Sequence, residues 1–159
     1  DGVTVASTLI GTPHYMAPES IADPALVDAR ADIYALGAVA YFLLAGSEVF
    51  SGKTLVDICS RHLHQVPDSL SERGAKVSAE LETIVLACLA KKPEERPQSA
   101  VELRKRLEAC RVEPWDGERA ADWWRTHRRS LDGATVGSIG RSPTIEIDAR
   151  ARELAAPSG

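Results

Sequence analysis

A chain of 159 residues has room for one hydrophobic core and would be cramped as two domains. With 44% hydrophobic and 26% charged residues, 11 Gly and 9 Pro, it is neither collagen-like nor wholly disordered. Its net charge of −4 lacks the basic excess that phosphate neutralisation asks of a nucleic-acid binder; Arg104–Arg106 and Arg125–Arg129 read as solvated helix faces.

Residues 1–20 read as loop. Val3–Ile10 is briefly extended, and Gly11, Pro13 and Pro18 forbid a long element. Glu19–Ala22 suits one helical turn. Asp28 is placed to cap a helix over 29–45, with Gly46 as the left-handed residue after its end. Past Asp32 this helix is apolar on every side: Ile33, Leu36, Val39, Tyr41, Phe42, Leu43 and Leu44. Such a helix belongs in the middle of a protein, and its small residues let neighbours come close.

Three amphipathic helices follow. Thr54 caps 55–63. Ser78 caps 79–90, where Leu81, Ile84, Val85, Cys88 and Leu89 follow helical spacing. Ser99 and Glu102 form a capping box for 100–110, with Ala100, Leu103, Leu107 and Cys110 as its apolar face. Pro93 and Pro97 bracket the turn between the last two. A helix over 117–128 carries Trp123 and Trp124, with Trp115 just before it. From Ser130 onward the composition predicts a disordered tail, with Thr144–Ile147 at most a short strand. These helices are too few to surround 29–45, so part of its shell is expected to lie outside the chain.

Several patterns invite a functional reading and fall short. Gly46–Thr54 looks like a phosphate-binding loop, but has one residue too many between its glycines and follows a helix instead of a strand. Cys59, His62 and His64 match no common zinc spacing, so no metal site is expected. Cys59, Cys88 and Cys110 are odd in number, without CxxC spacing, which favours reduced thiols and a cytoplasmic setting. The longest uncharged stretch, Ile33–Ser47, is shorter than the ~18 residues of a membrane span. The chain opens on Asp1 and its only methionine is Met16, so it is expected to be a processed or truncated piece of a longer protein.

The most specific segment is Gly11-Thr12-Pro13-His14-Tyr15-Met16-Ala17-Pro18-Glu19. It resembles the end of the protein-kinase activation segment, Gly-Thr-x-x-Tyr-x-Ala-Pro-Glu. Asp32-Ile33-Tyr34-Ala35-Leu36-Gly37 is similar to the start of that family's central helix. Leu43-Leu44-Ala45-Gly46, Phe50 and Gly52 are similar to its exit loop. Cys88 to Pro97 resembles the Leu-x-x-(Asp/Lys)-Pro-x-x-Arg-Pro signature. The matches run in family order over residues 1 to about 110. Their wording resembles a serine/threonine kinase of bacterial type.

The resemblance implies a mainly α fold: a kinase-like C-terminal helical lobe, without the N-lobe and the catalytic loop. It implies a partial kinase domain over 1–110, a Trp-bearing extension over 111–129 and the tail over 130–159. It also implies that Glu19 pairs with Arg96; read alone, the two are separate surface charges. Gly11, Thr12, Pro13, Tyr15 and Ala17 would form the substrate-docking floor, or else a turn with no ligand. Asp32 would hold the catalytic loop, or serve only as a first-turn acid beside the helix dipole. Gly37 would be structural. Thr4, Thr8 and Ser7 stand where activation loops are phosphorylated, or belong to an ordinary polar loop.

The implied function is part of a kinase that transfers the ATP γ-phosphoryl to Ser or Thr of protein substrates, with Mg2+. The Gly-rich loop, strand Lys, His-Arg-Asp loop and Asp-Phe-Gly site are not found in this sequence. The chain alone is therefore expected to be inactive and to bind neither ATP nor metal. Its partners would be protein substrates and the missing N-terminal part of the domain, with no nucleic acid and no membrane segment. The alternative is a non-catalytic kinase-lobe remnant that acts as a protein-interaction module.

Overall fold

The computed structural model of the chain describes residues 9–111, 115–133 and 145–147. In chain order these hold β1 (Leu9–Gly11), α1 (Pro18–Ala22), α2 (Ala29–Ala45), α3 (Leu55–His64), α4 (Ala79–Cys88), α5 (Ala100–Glu108), α6 (Gly117–Gly133) and β2 (Ile145–Ile147). Short 3-10 turns stand at Pro13–Tyr15, Pro24–Leu26 and Pro93–Glu95. The fold is mainly helical. Of the described residues, 9–110 and 145–147 fall in one compact unit, and 111 and 115–133 in a second.

Local chemistry sets most boundaries. The Asp28 carboxylate accepts from the Arg30 N–H at the start of α2, and Gly46 closes its end at φ 69°. Thr54 and Asp57 cap α3 reciprocally, a full capping box that the sequence reading credited to Thr54 alone. At α5 the box is only half made: Ser99 accepts from Glu102 N–H, but the Glu102 carboxylate takes the Gln98 N–H instead of that of Ser99. Helices α4 and α5 stop two residues short of their expected ends. Leu89 leaves helical geometry at φ −87°, ψ 7°, because Pro93 and its 3-10 turn must follow.

Helix α2 is the centre of the first unit. Tyr34, Ala38 and Tyr41 face a core made with Ala17, Val49, Phe50, Leu70, Val85 and Leu89. Ile33 faces a smaller cluster with Ile84, Cys88 and Leu103. Burying large apolar side chains of this kind contributes about 1.5–3 kcal/mol each. At Gly37 the α2 and α4 backbones come so close that a Cβ would lie 2.6 Å from the Cys88 Cβ. On α5 only Leu103 is fully buried; Ala100 is exposed and Leu107 is 40% exposed, so the expected apolar face narrows to Leu103 and the partly buried Cys110.

One side of α2 is uncovered. Asp32, Leu36, Val39 and Leu43, at i, i+4, i+7 and i+11, form an exposed stripe, with Leu36 52% and Leu43 74% exposed. This is the bare flank that the composition of the helix led us to expect.

The second unit contains α6, which extends past the expected 117–128. Asp116 starts it by accepting the Arg119 N–H at 2.9 Å. Trp123 stacks on His127 at 4.4 Å and meets Trp124 edge-on, yet Trp115, Trp123 and Trp124 are all exposed. Most of the expected disordered tail lies outside the described residues. Its described residues are 130–133, which are helical as the end of α6, and Ile145–Ile147, which pairs antiparallel with β1 in the register Leu9↔Ile147, Ile10↔Glu146, Gly11↔Ile145.

Candidate functional site

The loop from Gly11 to Glu19 is the segment the sequence singled out. Gly11 ends β1, and Thr12 turns the chain into the Pro13–Tyr15 3-10 turn, its carbonyl accepting the Tyr15 N–H at 3.1 Å. Pro13 and Pro18 each suit the first position of a helical turn, where no N–H is needed. Pro13, Met16 and Ala17 are buried, and Tyr15 packs partly buried against the core. These buried residues seat the loop on the core, and the half-buried Thr12 makes no capping hydrogen bond. His14 ties the loop sideways, its Nδ1 lying 3.4 Å from the Phe50 carbonyl oxygen.

The far end of the loop is anchored by charge. The Arg96 Nη1 and Nη2 donate to Glu19 Oε1 and Oε2, each at 2.7 Å. Arg96 also donates to the carbonyls of Ala90 at 2.8 Å, Arg30 at 2.9 Å and Lys91 at 3.0 Å. All five guanidinium N–H groups are thereby used, which is what permits a side chain with 0% exposure to stay charged. The Arg96 guanidinium also lies 5.0 Å from the Tyr34 ring centre. Burial pushes the Glu19 carboxyl up, but the Arg96 hydrogen bonds outweigh it and hold the group below its ordinary range.

A second polar contact lies beside this anchor, and the sequence reading missed it. His62, fully buried on α3, meets the Tyr34 hydroxyl through Nδ1 at 2.8 Å and lies edge-on to Phe50. Its Nε2 is buried without a hydrogen-bond partner. Burial, helped by the nearby Lys91 charge, pushes its pKa down to about 4, so the ring is neutral. Lys91 donates to the His62 carbonyl at 2.8 Å and sits 4.5 Å from the Phe50 ring centre. Burial, then the charge of Arg96, lowers its pKa to about 8. The signal for His62 was its place on the inner face of α3, at helical spacing from Leu55 and Ile58. His64, two residues on, is exposed, so the two imidazoles diverge.

The other candidates are placed as follows. Asp32 is exposed, and among the described residues nothing donates to its carboxylate. Gly37 is buried at the α2–α4 crossing. Thr4, Ser7 and Thr8 lie outside the described residues. Cys88 is buried in apolar surroundings that push its thiol up to about 11, leaving it unreactive. Among the described residues no three His, Cys, Asp or Glu side chains converge as a metal site, and no helix is long and apolar enough to cross a membrane.

The protein kinase domain model matches residues 2–107. The serine/threonine-protein kinase PknB of Mycobacterium tuberculosis is 40% identical over 107 residues, which cover 67% of this chain and 17% of that protein. Pkn1 of Myxococcus xanthus, also a serine/threonine-protein kinase, is 42% identical over 110 residues, 69% of this chain and 16% of its own length. A probable serine/threonine-protein kinase of Streptomyces coelicolor is 38% identical over 111 residues, 69% and 16% respectively. The chain thus spans about a sixth of the length of these curated relatives.

Proposed function

Because this chain belongs to the protein kinase family, we propose that it forms the docking and scaffold portion of a protein serine/threonine kinase. The whole enzyme transfers the γ-phosphoryl of ATP to a Ser or Thr hydroxyl of a protein. Gly11, Thr12, Pro13, Tyr15 and Ala17 are the floor on which the substrate segment rests. Thr12 presents its hydroxyl toward the catalytic groups. Asp32 accepts backbone N–H groups of the catalytic loop, and the stripe Leu36, Val39 and Leu43 is covered by the rest of the domain. Thr4, Ser7 and Thr8 are the candidate regulatory phosphorylation sites, where a charge of about −2 would reorder the loop. We place this portion in the cytoplasm.

Among the described residues no group of three or more His, Cys, Asp or Glu side chains could hold a metal ion. No step of the transfer is assigned to them, and the chain alone is expected neither to bind ATP nor to transfer phosphate. The observation that carries the reading is the Glu19–Arg96 fork, with both bonds at 2.7 Å. It ties the end of the docking loop to the Arg-Pro turn 77 positions away, uniting two separate family motifs in one buried contact.

The test is a chimera. The N-terminal part of the M. tuberculosis PknB kinase domain, up to the start of the matched stretch, is joined to residues 2–159 of this chain. The expected result is phosphate transfer to a Ser/Thr peptide, absent from the 159-residue chain alone and strongly reduced by Thr12→Val. A folded chimera without transfer would favour the interaction-module reading.

A further inference from the structure

Strand β1 runs straight into the docking loop, and its edge is paired to a strand from the far end of the chain. The register puts Ile145 opposite Gly11, so the pairing reaches the first residue of the proposed substrate floor. Exposed strand edges accept extended segments because their unpaired N–H and C=O groups are a ready template. A pair of three-residue strands is marginal by itself. Because Ile145–Ile147 belongs to the same chain, its pairing with β1 is intramolecular, and such attachment can raise an effective concentration to about millimolar. A weakly held, tethered strand is exchangeable.

We propose that β1 is a peptide-accepting edge, that Ile145–Ile147 is its intrachain occupant, and that this C-terminal segment competes with an extended protein substrate for the docking loop. The competition, though not the strand site itself, rests on the docking role proposed above. Recognition at this edge is by main-chain pairing alone. Whatever extended segment displaces β2 must offer free backbone N–H and C=O groups in the same antiparallel sense.

The test compares the full 159-residue chain with its Ile145→Pro/Glu146→Pro variant. Successive N–H groups point to opposite sides of a strand, so adjacent prolines remove one that faces β1 in either phase. Amide hydrogen exchange of Leu9–Gly11 should be roughly tenfold faster in the variant, with α2 unchanged. Equal rates would overturn the proposal. A synthetic peptide of residues 142–150, added to the variant, should slow those amides again; no slowing at millimolar peptide would overturn the claim that the edge takes a strand from solution.

In the chimera, the same proline pair should lower KM for a peptide substrate several-fold while kcat holds. An unchanged KM would overturn the competition. A chimera that transfers no phosphate would instead sink the kinase reading, and the exchange measurements would still decide the strand site.

Discussion

Removing the Arg96 guanidinium should bring the chain to the edge of unfolding. Arg96→Ala leaves the Glu19 carboxylate, only 9% exposed, with no counter-charge, and strands the carbonyls of Arg30, Ala90 and Lys91. Breaking a buried pair costs about 3–5 kcal/mol. Each stranded carbonyl adds about 1–3 kcal/mol unless water enters. Total domain stability is about 5–15 kcal/mol, so the variant should be largely unfolded at 37 °C. Glu19→Gln is the gentler test. It keeps the shape and the three carbonyl bonds but leaves Arg96 without its anion. A loss of about 3 kcal/mol lowers Tm by about 12 °C in a unit of just over 100 residues. Thermal and urea denaturation of both variants measures this. A shift below ~4 °C for Glu19→Gln would show that the buried fork contributes no more than a surface pair, and the anchoring argument would fail.

Further predictions follow from burial and packing. His62, depressed from 6.5 to about 4, should make the chain lose stability as pH falls between those values. There the unfolded chain binds a proton that the fold refuses, at up to ~1.4 kcal/mol per pH unit. Urea melts at pH 7, 5.5 and 4.5 should show this slope, and His62→Gln should flatten it; an equal slope in the variant would refute the assignment. Glu19 acts lower still: its depressed carboxyl stabilises the fold above its ordinary pKa of 4.5, and that contribution is lost as pH drops through the folded value. Gly37→Ala should cost about 1–3 kcal/mol despite its better helix propensity. Cys88→Ala should not rescue it, because the clash is with the Cys88 Cβ. Leu43→Ser should change Tm little, whereas Tyr41→Ala, one turn face away, should cost about 3–5 kcal/mol.

What was legible in the sequence was what local chemistry decides. Asp28, Gly46, Thr54 and Ser78 marked helix ends because their side chains or backbone freedom act within one turn. The bare flank of α2 was legible too, since an all-apolar helix with too few neighbours must leave a side open. The Glu19–Arg96 fork could be anticipated only through the family pattern, because its partners stand 77 positions apart. Nothing local announced the His62–Tyr34 contact: its polar atoms meet across 28 positions on two helices. The β1–β2 register was equally hidden, since three-residue strands carry too little periodicity to specify a partner. The half-made box at α5 turned on Gln98, whose N–H competes for the Glu102 carboxylate.

The Arg96 fork has a consequence for synthesis. Glu19 leaves the ribosome first, and its partner is 77 residues behind it. At about 5–20 residues per second, the Gly11–Glu19 loop waits roughly 4–15 s for the guanidinium that anchors its far end. Until then α1 and the loop are a nascent segment with an unpaired carboxylate, open to proteases and chaperones. A pause in translation before the Arg96 codon would lengthen that window, while one after it would not.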